Sequence, residues 1–253
     1  MDKHIKQAIL ITLGPFIILV LWYVTPKLGL IEEFFLPNPL RVVKETIALI
    51  RQGDIFLDIG YTLYRTTIGF LLAALWGVPV GLFLGYYNRA YRMFEAVIDF
   101  FRSLPATALI PLALVVFASN ETARIFVVLF SCGLVLIINS ADGVRGVNKT
   151  RIEVAEVLEA STLQKFRTVI FREALPEIFT GLRISLSLSL VLVVVSEMFI
   201  GTRIGLGKKL QDAQLFNHIA EIYGLIFITG ILGYGMNKGF TLLEKYLIHW
   251  RGR

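Results

Sequence analysis

Thr66–Asn88 reads TTIGFLLAALWGVPVGLFLGYYN, twenty-three uncharged residues between Arg65 and Arg89. A membrane helix needs about 20 apolar residues, and this stretch supplies them without interruption. Within it Gly69, Ala73, Gly77, Gly81 and Gly85 recur four apart, on one helical face. Small side chains at that spacing let a second helix approach closely. Working outward, uncharged windows separate Lys6 from Lys27, Arg102 from Glu121 and Arg124 from Asp142. Ile184–Thr202 carries only Glu197, and Ile222–Asn237 continues past Lys238 as far as Leu243. Six transmembrane helices are expected, near 7–26, 62–87, 94–118, 124–141, 179–201 and 221–243, with a loop over 142–178. Backbone in hydrocarbon must satisfy its own hydrogen bonds, and the alternation of a β-barrel is absent. The expected class is an all-α membrane protein, a single transmembrane domain over 1–253.

Composition agrees. The chain of 253 residues is 56% hydrophobic and 17% charged, with a mean hydropathy of +0.71. Soluble domains average about 45–50% apolar and about 25% charged. A soluble enzyme, a disordered chain and a fibrous repeat are excluded. The single cysteine, Cys132, excludes a disulfide scaffold and a Cys-based metal site. The net charge of +6 reflects membrane orientation rather than nucleic-acid binding. With Lys3 and Lys6 inside, the same side carries Arg89, Arg92, Arg102, Arg145, Lys149, Arg151, Lys165, Arg167, Arg172, Lys245, Arg251 and Arg253. The opposite loops keep Lys27, Arg41, Lys44, Arg51, Arg203, Lys208 and Lys209. Both termini are therefore expected in the cytoplasm. No small-residue cleavage site precedes Trp22-Tyr23, so the first span reads as uncleaved.

Between the first two spans, Asn38 can N-cap a helix with Pro39 at its first position, and Gly53 supplies a stop. Leu40, Val43, Ile47 and Ile50 keep helical spacing, which predicts a brace at the membrane surface. Pro105 and Pro111 disturb the third span, either as a bend for packing or where the helix lines a path. The loop after the fourth span is too long for a connector. Thr150-Arg-Ile-Glu153 and Ser161-Thr-Leu-Gln164 each read as a capping box, predicting two short helices with a tight turn near Glu159-Ala160. Val154, Val157 and Leu158, then Leu163, Phe166 and Val169, give them apolar faces suited to docking a soluble partner or to packing on the chain's own span ends.

The stretch Glu153–Arg183, EVAEVLEASTLQKFRTVIFREALPEIFTGLR, resembles the EAA loop of binding-protein-dependent ABC importer permeases. The pattern fits at Glu153, Ala155, Ala160, Ser161, Ala174-Leu175-Pro176 and Gly181-Leu182-Arg183. It departs at Val154, at Glu159 where Gly is usual, and at Arg172 where the first Pro stands. Leu36-Pro37-Asn38-Pro39, Leu104-Pro105, Leu109-Ile110-Pro111-Leu112, Ser196-Glu197-Met198 and Gly205-Leu206-Gly207 extend the likeness, which is nearest the branch for nitrate, taurine, alkylsulfonates, bicarbonate and similar anions.

The resemblance implies a type I importer permease fold in a bacterial inner membrane, with cytoplasmic coupling helices. It implies a second permease subunit (a homodimer, or a heterodimer), two cytoplasmic ATPases and a periplasmic or lipid-anchored binding protein. Glu153, Ala155, Glu156, Glu159, Ala160, Ser161 and Phe166 would meet the ATPase. The chain has no GxxxxGK[ST] loop, so ATP and Mg would sit in the partner, and no cofactor or metal is expected in this chain.

Glu197 is the one acidic residue well inside a predicted span, open to a structural hydrogen bond or to a gate or latch. Asn139, Ser131 and Thr107, with Pro105 and Pro111, are the other candidates for the path. Arg65, Arg102 and Arg124 at span ends could draw an anion. Two rival classes are a membrane-embedded enzyme and a structural subunit of another complex. For the first, no protease signature is present, and His4, His218 and His249 fall outside the spans.

Overall fold

A computed structural model describes residues 3–117 and 119–247, and every regular element among them is helical. Arg251, Arg253 and His249 lie outside the described residues. The chain opens with α1 (Lys3–Lys27) and α2 (Pro39–Gln52). Asn38 caps α2 as expected, its Oδ1 accepting from the Leu40 N–H at 3.0 Å. Gly53, at φ 84°, ends it. Val42 and Leu49 face the protein, while Leu40, Val43, Ile47 and Ile50 are exposed, a face fit for the membrane surface.

The long helix α3 (Ile55–Tyr86) holds the small-residue stripe. It is followed by α4 (Asn88–Ser103), a short tight turn at Ala106–Ala108 and α5 (Leu109–Val116). Then come α6 (Asn120–Arg145), α7 (Lys149–Val157) and α8 (Thr162–Lys165). One π-type turn, Phe166–Ile170, leads into α9 (Phe171–Phe199), and α10 (Leu206–Leu215) and α11 (Ile219–Leu247) complete the chain.

The stripe is where α3 meets α6. A Cβ added to Gly81 would stand 2.5 Å from the Ile137 carbonyl oxygen, and one on Gly85 2.7 Å from that of Ala141. Gly77 sits against Gly133 and Leu136, and Gly69 against Val128. Any side chain would push the two backbones apart. Around this seam Ala73, Val128, Cys132, Leu136, Leu192 and Val193 form the central core of α3, α6 and α9. A second core joins α2, α3, α10 and α11 through Leu49, Ile55, Leu206, Ala213, Leu225 and Ile228. Trp22 secures α1, stacking on Tyr223 and Phe227 at 5.8 and 5.7 Å while its indole N–H donates to Pro37 O.

Among the described residues four stretches are long and apolar enough to cross a membrane: α3, α6, Thr162–Phe199 and α11. The pair α4–α5 makes a fifth if taken as one crossing, whereas the described apolar part of α1, Thr12–Lys27, is shorter. The structure details two of the expected spans and corrects one cap. The third span is disturbed as its prolines suggest: the helix begins at Asn88, breaks at Leu104–Pro105 and bends by 84°. Pro105 follows a residue held extended (Leu104, φ −75°, ψ 133°), as the ring of a proline demands of its predecessor. Pro111 is absorbed in the first turn of α5, where no N–H is missed. The helix that carries the fifth span extends back beyond 179, because the second loop helix runs through the π-type turn straight into α9. Finally, α7 is capped by Asn148, whose side chain accepts from the Thr150 N–H at 2.9 Å, rather than by a Thr150–Glu153 box.

Candidate functional site

At one end of the bundle, where α3 and α6 begin and α9 ends, four charged side chains meet, three of them buried and Glu121 half exposed. Arg65 on α3 is 3% exposed, Arg124 on α6 is 1% and Glu197 on α9 is 0%. Thr62 and Arg65 lie one turn apart on α3, and so do Glu121 and Arg124 on α6, which aims each pair at the same neighbour. Arg65 Nη1 donates to Glu197 Oε1 at 2.6 Å and to Ile204 O at 2.8 Å. Its Nε and Nη2 form a fork on the Glu121 carboxylate at 2.9 and 2.7 Å. Arg124 donates to Glu121 at 2.8 Å and to the carbonyls of Ile200 and Gly201. Glu197 also accepts from the Thr62 hydroxyl at 2.9 Å and the Gly207 N–H at 2.9 Å. Two guanidinium groups and two carboxylates thus neutralise one another, and nearly every polar atom has a partner, as burial of charge requires.

The segment between α9 and α10 is moulded onto this cluster. Gly205 adopts φ 146°, and a Cβ there would lie 2.5 Å from the Glu197 carboxyl carbon. Its N–H donates to Asp58 Oδ1 at 2.7 Å, and the Leu206 N–H donates to Thr62 Oγ1 at 3.0 Å. The arrangement ties three spanning helices and the start of α10 into one unit. It offers no free nucleophile or unpaired base. Arg65 and Arg124 are consumed in it, which removes both from the groups that could hold an anion. The sequence marks Glu197, and marks Arg65 and Arg124 only as span-end charges for an anion; their pairing, and the parts of Glu121 and Thr62, do not show in it, since charges at window edges read as flanks.

The remaining path candidates do not join Glu197. Asn139 packs beneath Gly181 and donates to Val135 O at 2.8 Å. Gly181 lies sixteen residues before Glu197 on α9, about 24 Å along a helix. Ser131 is half-buried, its hydroxyl without a partner among the described residues. Thr107 is exposed in the turn after Pro105, at the break of the third span.

The opposite end presents α7 and α8. Ser161 Oγ accepts from the Gln164 N–H at 3.3 Å and Gln164 Oε1 from the Ser161 N–H at 2.8 Å, a complete capping box. Glu159 sits at φ 53°. The Ala160 N–H bonds to Ala155 O and the Glu159 N–H to Glu156 O, the paired closure that ends a helix in a left-handed residue. That backbone explains why glycine suits the position. Glu153 and Glu156 are exposed, Glu156 pairing with Lys165 at 3.1 Å. Phe166 is half-buried against Tyr86 at 5.8 Å. Ala155, expected at a partner surface, is 8% exposed, while Val157 at 83% and Leu158 at 74% stand out. Among the described residues no three His, Cys, Asp or Glu side chains gather where they could hold a metal.

These features define a helical, multi-pass membrane protein with a buried ionic latch at one end and a helical loop at the other. The comparisons give the family: residues 77–250 match the binding-protein-dependent transport system inner membrane component, and the chain belongs to it. It is 31% identical to an aliphatic sulfonates transport permease protein of Bacillus subtilis, over 94% of this chain and 86% of that one. It is also 31% identical to a nitrate import permease protein of Synechocystis, over 97% and 90% of the two chains. Its fold is that of the inward-facing MetNI methionine ABC transporter, with a TM-score of 0.65 at 19% identity, covering 76% of this chain and 96% of that one. The chain is an ABC importer permease subunit of the inner membrane.

Proposed function

We propose that this permease carries a small anion such as a sulfonate, taurine, nitrate or bicarbonate. Two copies form the path, an external binding protein delivers the solute, and two cytoplasmic ATPases bind the ATP and Mg that drive transport. In this reading six spans place both termini in the cytoplasm, α7 and α8 project there, and the Arg65–Glu197 cluster lies at the outer face. The observation that carries it is the pair of capped loop helices with Val157 and Leu158 exposed beyond the bundle, an apolar surface with no partner in the chain. The rigid route from α8 through the π-type turn into α9 would carry movement of the ATPases into the membrane as a rigid-body shift. The anion class rests on the sulfonate and nitrate permeases among the relatives. Co-expression with a candidate ATPase and binding protein from the same genome tests the proposal. The ATPase should purify with the permease, and cells lacking their own systems should take up labelled taurine or nitrate; absence of both would refute it.

A further inference from the structure

We infer that the charged face of α4 lines an aqueous path through the membrane and that Arg102 is its anion-contacting residue, with Asp99 as counter-ion in the empty path. The inference rests on the transport reading above and locates its solute. Arg89, Arg92, Glu95, Asp99 and Arg102 follow one another at intervals of three, three, four and three, forming one stripe. Met93, Val97 and Phe100 occupy the other side and are also exposed. Such a helix could lie flat on the membrane, but its packing shows that it climbs. Tyr91 and Ile98 pack with Ile137 and Ala141 near the C-terminal end of α6. Phe101 meets Phe130, in the middle of α6, at 5.4 Å, and past the break Phe117 meets Phe126 at 4.9 Å. α4 therefore ascends α6 as far as its break, and Asp99 and Arg102 come level with the middle of α6.

There the two charges are 56% and 58% exposed, joined among the described residues only to each other at 3.0 Å. Exposed charge at that depth cannot face lipid and marks a water-filled or protein-lined space. The backbone gives a second, independent sign. The helix is open at Leu104–Pro105, one residue beyond Ser103, and unwound backbone at membrane depth is tolerated where it borders water or protein. Of the three arginines considered for the anion, Arg65 and Arg124 are buried in ion pairs. Arg102 alone presents a guanidinium to open space, in the planar form that binds oxyanions through two parallel N–H donors.

The test uses the full chain in native membrane vesicles, with Cys132→Ala and single cysteines added. Ala96→Cys and Ser103→Cys, on the charged side, should react with water-soluble methanethiosulfonates, and Val97→Cys, across the helix from it, should not. At Ser103→Cys the rate with the anionic ethylsulfonate reagent, relative to the cationic trimethylammonium one, should fall about tenfold or more when Arg102→Gln is added. Arg102→Lys should hold the ratio within about threefold, and Asp99→Asn should raise it. Equal reactivity on both sides, silence of the charged side, or a ratio indifferent to Arg102→Gln would overturn the inference. The readout needs neither ATPase nor substrate, so its failure is separate from failure of the importer reading.

Discussion

Replacing Glu197 by Gln keeps the shape of the side chain and reverses part of its chemistry. Every neighbour of the carboxylate is a donor: Arg65 Nη1 at 2.6 Å, the Thr62 hydroxyl at 2.9 Å and the Gly207 N–H at 2.9 Å. A Gln amide brings an NH2 where only an acceptor fits, so one buried donor must lose its partner. Arg65, 3% exposed, also loses half of its neutralising charge. Breaking a buried pair on one side costs about 3–5 kcal/mol. Taking about 2–4 °C per kcal/mol for a chain of this size, the lower figure corresponds to a melting temperature about 6–12 °C below the parent. Cys132 supplies the assay, being the single cysteine and 0% exposed. In detergent, a fluorogenic maleimide should report on it only as the bundle opens. Glu121→Gln should cost less, about 1 kcal/mol, because that carboxylate is 50% exposed and water can replace it. A Glu197→Gln protein melting within about 2 °C of the parent would refute the latch.

Other residues carry sharper local expectations. Gly81→Val should prevent normal assembly, because its first added carbon meets the Ile137 carbonyl at 2.5 Å; size-exclusion profiles of purified protein check this. Glu159→Gly should raise the melting temperature slightly, by relief of about 1 kcal/mol of left-handed strain, without loss of the turn between α7 and α8. In a Cys132→Ala background, Asn38→Cys should label with an impermeant maleimide from outside intact cells and Ser161→Cys only after permeabilisation. Labelling of Ser161→Cys from outside would place the loop on the wrong side for an ATPase.

The helices are legible in the sequence because their signals are local. Uncharged windows locate α3, α6 and α11, the Gly69–Gly85 stripe foretells a tight seam, and Asn38 and Ser161 announce their caps. What escapes is what depends on distant residues. Arg65 finds Glu197 132 positions away, and nothing in either window distinguishes a charge that ends a span from one folded beneath it. Arg102, counted as an inside flank, is likewise carried by α4, whose stripe makes sense only when the other side of the helix and its ascent along α6 are seen. Ala155 fits the family pattern yet is 8% exposed, since a motif records which residues recur and not how much of each stands clear.

The central claim is that α7 and α8 dock a cytoplasmic ATPase, and Val157→Arg tests it most directly. Val157 is 83% exposed, so the substitution leaves the chain's own packing alone, but in a docked groove it desolvates a charge without a partner. A loss of about 3 kcal/mol would weaken the complex about 150-fold. The account predicts that purified Val157→Arg permease melts like the parent, does not retain the ATPase and supports no uptake. Retention of the ATPase together with full uptake would contradict it.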